Sequence, residues 1–236
     1  MKVALTLSYD GTPYFGSQIQ KETPHTIMGV LEKILKELGI HTDIIASGRT
    51  DRGVHATGQV VTINLPYFWN DTLKLQRVLN QMLPKSIHIK NIKEVVQEFH
   101  ARYSAKKRSY RYIIKLGKSN PFEDQYVTFM DSLALEQLQK NIHLFIGEHD
   151  FKNFMKTGSE SKSTIRTVYK SFFYKYKGYI ILKFQANGFL RSQIRMMVAS
   201  LLHLDTKQII EKLEDIHKHQ VKPAPANGLY LSRINY

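Results

Sequence analysis

Cysteine is absent from the 236 residues of this chain. Disulfides, thiolate-bound zinc and iron–sulfur clusters are therefore excluded. No stretch approaches the 18 or more uninterrupted apolar residues of a membrane span. The opening segment Met1–Asp10 has too short an apolar run for a signal peptide, and no small-residue cleavage site follows it. Walker and dinucleotide-binding fingerprints are missing, and the ten histidines lack zincin spacing. His217-x-His219, the closest pair, suits a solvated helix end better than a metal site. These absences lead to the expectation of a cytoplasmic protein with no resident metal.

Acidic residues are also scarce. Against 34 Lys and Arg stand 20 Asp and Glu, a net charge of +14. Such a field attracts polyanions, nucleic acid above all. The excess is uneven: residues 1–105 carry 12 bases and 9 acids, while residues 106–236 carry 22 and 11. Seven bases and no acid lie between Arg102 and Lys118, and nine bases against Glu160 alone between Lys156 and Arg195. These bases alternate with aromatics, as stacking on nucleobases requires. That pattern favours a polyanion partner over a lysine surface kept for solubility. A hydrophobic content of 42% and a charged content of 23% are those of a globular protein.

Periodicity predicts an α+β chain. Lys2–Ser8 alternates as a strand, and Thr26–Leu38 places Ile27, Val30, Leu31, Ile34, Leu35 and Leu38 on one helical face. Strands are expected at Asp43–Ser47, Gly58–Leu65 and Ser86–Val96, with a helix at Asp71–Leu83 stopped by Pro84. The order is β-α-β-β-α-β. A similar order follows: strand Ser109–Leu116, helix Leu133–Ile146, strands Ile165–Tyr176 and Tyr179–Ala186 around Gly178, helices Phe189–Leu204 and Thr206–His217, and strand Leu229–Ile234. Each half matches a ferredoxin-like (RRM-like) unit, residues 1–105 and 106–236. Two such halves related by a pseudo-two-fold are expected to share one mainly antiparallel sheet. A ligand cleft is expected where they meet.

The richest chemistry lies in Ala46–Val61. Glycines at 48, 53 and 58 permit tight turns or close approach of a ligand. Between them stand Arg49, Thr50, Asp51, Arg52, His55 and Thr57. A polar β–β connection whose Asp51 bonds its own turn would read the same way, as would a loop-borne phosphate site. Chemistry alone leaves the two open.

Gly48-Arg49-Thr50-Asp51-x-Gly53-Val54-His55-Ala56, followed by Gly58-Gln59-Val60, resembles the signature of the tRNA pseudouridine synthase A family. Other landmarks of that family occur in order over essentially the whole chain. They begin with Tyr9-Asp10-Gly11-Thr12 and Phe15-Gly16, and continue through Phe99–Ala105, Arg108-x-Tyr110-Arg111-Tyr112 and Gly147–Phe151. Ala186-Asn187-x-Phe189-Leu190 then leads to Arg195, and Pro223-x-x-Pro225 to Gly228-Leu229.

The resemblance implies isomerisation of uridine to pseudouridine at positions 38, 39 and 40 of the tRNA anticodon stem-loop. It implies no cofactor and no metal, since no redox step or group transfer occurs, and a homodimer. Asp51 matches the catalytic aspartate, as nucleophile or base. Tyr110 matches the tyrosine that packs on the target uracil; by composition alone it reads as a half-buried strand aromatic. Arg195 matches the basic partner that keeps the aspartate charged. Arg49 is expected to open the base stack or hold a phosphate, and His55 and Arg52 to support these groups. The sequence departs from the pattern at Ser17, usually tryptophan, and at Arg52, usually small. Arg191-Ser192 stands for a histidine pair, and Asn227 for a residue that is often histidine. A non-catalytic RNA-binding protein on the same fold is the rival reading.

Overall fold

The computed structural model describes residues 1–156, 158 and 161–236. Glu160, the acid counted within the basic run above, lies outside the described residues. Two compact units divide the chain: Met1–Lys106 with Tyr230–Tyr236, and Lys107–Leu229.

The first unit contains β1 (Lys2–Tyr9), α1 (Ile27–Glu37), β2 (Ile45–Ala46), β3 (His55–Asn64), α2 (Thr72–Met82), β4 (Ile87–Glu94) and, from its second residue on, β10 (Leu229–Asn235). Alternation in β1 buries Val3, Leu5 and Leu7 completely, as a strand with one core face must. Helix α1 begins where the Thr26 hydroxyl accepts the Gly29 N–H, and it buries Ile27, Met28, Leu31, Ile34 and Leu35. Asp71 caps α2 in the same way, through Lys74 N–H. The strand order is β4-β1-β3-β10, with β2 also on β3. Pairing is antiparallel except that β10 runs parallel to β3, Tyr230 opposite His55 and Leu231 opposite Ala56.

Two expectations change here. The last strand, expected in the second half, joins the first unit, because its backbone pairs with the start of β3. That start lies at His55, three residues earlier than the expected Gly58. Gly58 does not end the strand. It lets β10 pass close by, since a Cβ there would meet the Ser232 carbonyl oxygen at 2.5 Å.

The second unit contains β5 (Lys107–Leu116), β6 (Thr128–Met130), α3 (Leu135–Asn141), β7 (Gly147–Asp150), β8 (Ile165–Tyr176), β9 (Tyr179–Ala186), α4 (Gln193–His203) and α5 (Thr206–Leu213). The order is β5-β9-β8-β7, antiparallel throughout, with β6 parallel on β5. One face of this sheet is core: Tyr110, Tyr112 and Ile114 of β5 with Ile180, Leu182, Phe184 and Ala186 of β9. Beyond it Phe145, Phe151 and Phe154 form a buried aromatic cluster.

Three helix limits differ from the periodic reading. The segment expected as one helix to Ile146 tightens into a 3-10 turn at Ile142–Phe145, where Ser171 donates its hydroxyl to the Ile142 carbonyl. Helix α4 starts at Gln193 because Ser192 takes a left-handed conformation, φ 59°. Helix α5 ends at Leu213, with left-handed Asp215 turning the chain away. The fold class is nonetheless α+β with mainly antiparallel pairing. Among the described residues, no helix is long and apolar enough to cross a membrane.

Candidate active-site residues

In the first unit, the candidate loop runs from β2 into β3 and is fixed on both sides of Asp51. Ser47 donates its hydroxyl to the Gln59 side-chain oxygen at 2.7 Å, and Gln59 donates its amide to the Gly48 carbonyl at 2.7 Å. Thr50, only 7% exposed, is held in three ways. Its Oγ1 lies 2.9 Å from the Tyr9 hydroxyl, its N–H donates to Ser17 Oγ at 2.9 Å, and its carbonyl accepts the Ser17 N–H at 3.1 Å. On the far side, the Asp51 carbonyl accepts the Val54 N–H at 3.1 Å. Burial pushes the Tyr9 hydroxyl up to about 12, against the lowering effect of its Thr50, Gln59 and Ser17 contacts. Tyr9 therefore stays a neutral hydrogen-bonding phenol at any physiological pH. Asp51 itself is half-buried, so its carboxylate is neither sealed in the core nor loose on the surface.

The neighbours expected to assist sit in different settings. Arg49 is exposed, its Nε donating to Gln18 Oε1 at 2.9 Å. Arg52 is exposed as well and lays its guanidinium over the Phe15 ring, 4.6 Å from the centroid. His55 is 1% exposed. Its Nδ1 accepts the Gly11 N–H at 3.1 Å, lies 3.2 Å from Asp10 Oδ1, and its ring stacks on Tyr230 at 4.7 Å. Gly11 is packed so tightly that a Cβ would fall 2.0 Å from the Val54 carbonyl oxygen. His55 thus clamps the turn after β1 onto the segment that follows Asp51.

Sequence reasoning missed Ser17. It registered there as a lost tryptophan, whereas its backbone and hydroxyl grip Thr50 from both sides. Gln59 stood in the motif without a role; its side chain sets the loop's entry.

In the second unit, Tyr110 stands on β5 opposite Phe184 and is 7% exposed. Phe189 meets its ring edge-on, centroids 5.3 Å apart. Arg195 lies in the first turn of α4 and is half-buried. Its Nε donates to the Ala224 carbonyl at 2.7 Å, and Ala224 N–H returns a bond to the Arg195 carbonyl at 3.0 Å. Tyr112 secures the same Pro223–Gly228 strap, its hydroxyl donating to the Pro225 carbonyl at 3.0 Å and lying 2.7 Å from Thr128 Oγ1. Burial pushes this hydroxyl too up to about 12, opposed by the Thr128 bond and the Arg195 charge. Asn227 is fully used: it donates to the Asp124 and Val127 carbonyls and accepts from Thr128. Arg191 and Ser192, the other departures, form the turn into α4, where the Arg191 carbonyl accepts Lys156 N–H.

The first unit thus groups Arg49, Asp51 and Arg52 on one loop, with His55 opening β3 behind it, and the second holds Tyr110 and Arg195. Among the described residues, no three His, Asp or Glu side chains group as metal ligands.

Known proteins resemble this chain over its whole length. A family model described as tRNA pseudouridine synthase matches residues 6–104 and 142–236. A tRNA pseudouridine synthase A of Campylobacter jejuni is 37% identical over 243 residues, covering 100% of both chains. The protein of that name from Wolinella succinogenes is 37% identical, covering 98% of this chain and 92% of its own. That from Limosilactobacillus reuteri is 36% identical, covering 98% and 95%.

Proposed function

Because the chain belongs to the tRNA pseudouridine synthase family, we propose that it isomerises uridine to pseudouridine at positions 38, 39 and 40 of the tRNA anticodon stem-loop. The observation that carries this reading is the Asp51 loop, which lies within the matched segment and whose backbone is bonded on both sides of a half-buried carboxylate. A preorganised acid of this kind is what the chemistry needs.

The reaction breaks the N1–C1′ bond, turns the uracil and joins C5 to C1′. The hydrogen on C5 leaves and N1 gains one, so atoms balance without oxidant or acceptor. Asp51, ionised, either attacks the sugar or base or takes a ribose proton. Tyr110 offers a flat face that restrains the uracil plane without fixing one edge, which suits a base that must reorient. Arg49 and Arg195 hold the substrate, with Arg52 and His55 in support. Arg195 comes preset, since both its side chain and its backbone are tied to Ala224. The enzyme acts on tRNA in the cytoplasm as a homodimer, a state that light scattering on the purified protein checks.

Tritium release from C5-labelled uridine in an unmodified anticodon stem-loop tests the reading. Wild-type protein is expected to release tritium without added cofactor or metal. Asp51→Asn should slow release by about 10²–10⁴-fold while keeping RNA binding. Undiminished release from Asp51→Asn removes the residue from the mechanism. Binding without release by the wild type favours the non-catalytic reading.

A further inference from the structure

The sheet of the second unit has one face against the core and one toward solvent, and strand register fixes which residues stand on each. Phe173 opposite Leu182 and Ser171 opposite Phe184 belong to the core face. So does Tyr110, opposite Phe184 on β5. Side chains alternate along a strand, so the pairs between these point outward: Lys170 with Gln185, Phe172 with Lys183 and Tyr174 with Ile181. Tyr174 is 41% exposed, and Tyr176, two residues further on, 56%.

This outward face combines rings and cations. Strands β5, β8 and β9 hold eight Lys and Arg and no Asp or Glu. Phe172 and Tyr174 lie side by side, ring centroids 6.3 Å apart and planes tilted by 33°. At one end Lys107 sets its ammonium 5.0 Å from the ring of Tyr169, where the register of β8 shifts. At the other end Lys177 lies 5.5 Å from the Tyr176 ring. Acids come in at the margins. Glu123 takes Lys115 and Tyr179 at the hairpin end, and Glu148 of β7 accepts the Thr167 hydroxyl at the far edge. In the middle, Lys170 and Lys183 have no carboxylate partner among the described residues.

We propose that this face is a second RNA-contact surface, on which unpaired nucleotides stack against Phe172 and Tyr174 while Lys170 and Lys183 hold the flanking phosphates. The surface rests on the reading of this protein as one that acts on RNA. It stands apart from Tyr110, whose ring belongs to the other side of the sheet. Rings backed by a strand accept any base through its π-face, and ferredoxin-like sheets stack two or three bases in this way. A second copy of the chain is the poorer occupant. An isologous contact would set the same lysines of both copies against one another, and like charges so placed repel. What the face adds is a grip on RNA outside the target nucleotide.

Fluorescence anisotropy with a full-length unmodified tRNA transcript tests this. Tyr174→Ala is expected to weaken binding roughly 5- to 150-fold, whereas Tyr174→Phe, which keeps the ring, should bind as the wild type does. Lys170→Gln combined with Lys183→Gln should lower the slope of log affinity against log salt by about 1.4, the value for two phosphates on a single strand. Wild-type affinity in Tyr174→Ala together with an unchanged slope in the lysine pair overturns the surface. An equal loss in Tyr174→Phe does the same. A Tyr174→Ala protein that light scattering finds reduced in subunit number assigns the face to a second copy instead. Tritium release from the stem-loop by the wild type, run alongside, separates this from the enzymatic reading. Release with unchanged binding in the variants keeps the isomerase and removes the surface. Weakened binding in the variants without wild-type release does the reverse.

Discussion

At the scale of single residues, the position of Asp51 depends on side chains that bond to backbone. Ser17 Oγ is the acceptor for the nearly buried Thr50 N–H, so Ser17→Ala strands a donor at a cost of about 1–3 kcal/mol. We expect a melting temperature lower by several degrees, and tritium-release kinetics in which kcat falls roughly tenfold with little change in KM. Ser17→Trp, which restores the usual family residue, should be worse rather than better. Ser17 is 1% exposed, and its surroundings have closed around a hydroxyl. A Ser17→Trp protein as active and stable as the wild type would show that the contact with Thr50 is dispensable. Resemblance singled out Asp51 in the sequence, where chemistry alone left its loop undecided. Ser17 was not legible, because its bond to Thr50 spans 33 residues and leaves no local pattern. The same holds for the clamp of His55 on Gly11, which a reader of the motif sees only as a histidine near an aspartate.

At the scale of elements, Gly58→Ala tests the parallel contact of β3 with β10. A methyl group would stand 2.5 Å from the Ser232 oxygen, so the strands must part. A loss of about 1–3 kcal/mol in denaturant unfolding is expected. Helix α5 supplies a pH-dependent case. Lys212 is 1% exposed, donates to the His219 carbonyl at 2.9 Å and lies 5.0 Å from the Phe154 ring centroid. Burial lowers its pKa to about 8, while the unfolded chain keeps a lysine near ~10.4. Between those values the unfolded state binds the extra proton, so stability should rise with pH across that window, and the cost is fully present below it. Comparing unfolding curves of wild type and Lys212→Met from pH 7 to 10.5 isolates this contribution, since Lys212→Met lacks the proton. Identical pH slopes would rule it out. Long elements with a clear period, such as α1 with its Thr26 cap, could be read directly. β6 and β7 could not: they span Thr128–Met130 and Gly147–Asp150 and are too short to show alternation. β6 owes its place to pairing with β5, Ile114 opposite Thr128. The ends of α4 and α5 were misjudged because Ser192 and Asp215 adopt left-handed backbone, which hydrophobic period does not report.

For the whole molecule, the net charge of +14 and its concentration after residue 105 bear on binding. Each phosphate contacted releases counterions, so tRNA affinity should fall steeply with salt. If about six contacts are made, the loss between 50 and 200 mM salt is on the order of 10³-fold. A salt-independent affinity would contradict a binding surface built on Lys and Arg. The α+β class and the order of the major elements were legible from periodicity alone. The destination of the last strand was not, because pairing partners distant in sequence leave no trace in local pattern. That destination has a consequence during synthesis. The sheet of the first unit lacks β10 until Tyr230–Tyr236 emerges from the ribosome, and all of Lys107–Leu229 is made before it. At ~5–20 residues per second the wait is on the order of ten seconds. For that time β3 offers an unfilled edge to any extended segment nearby, so the nascent chain stays open to mispairing until β10 arrives.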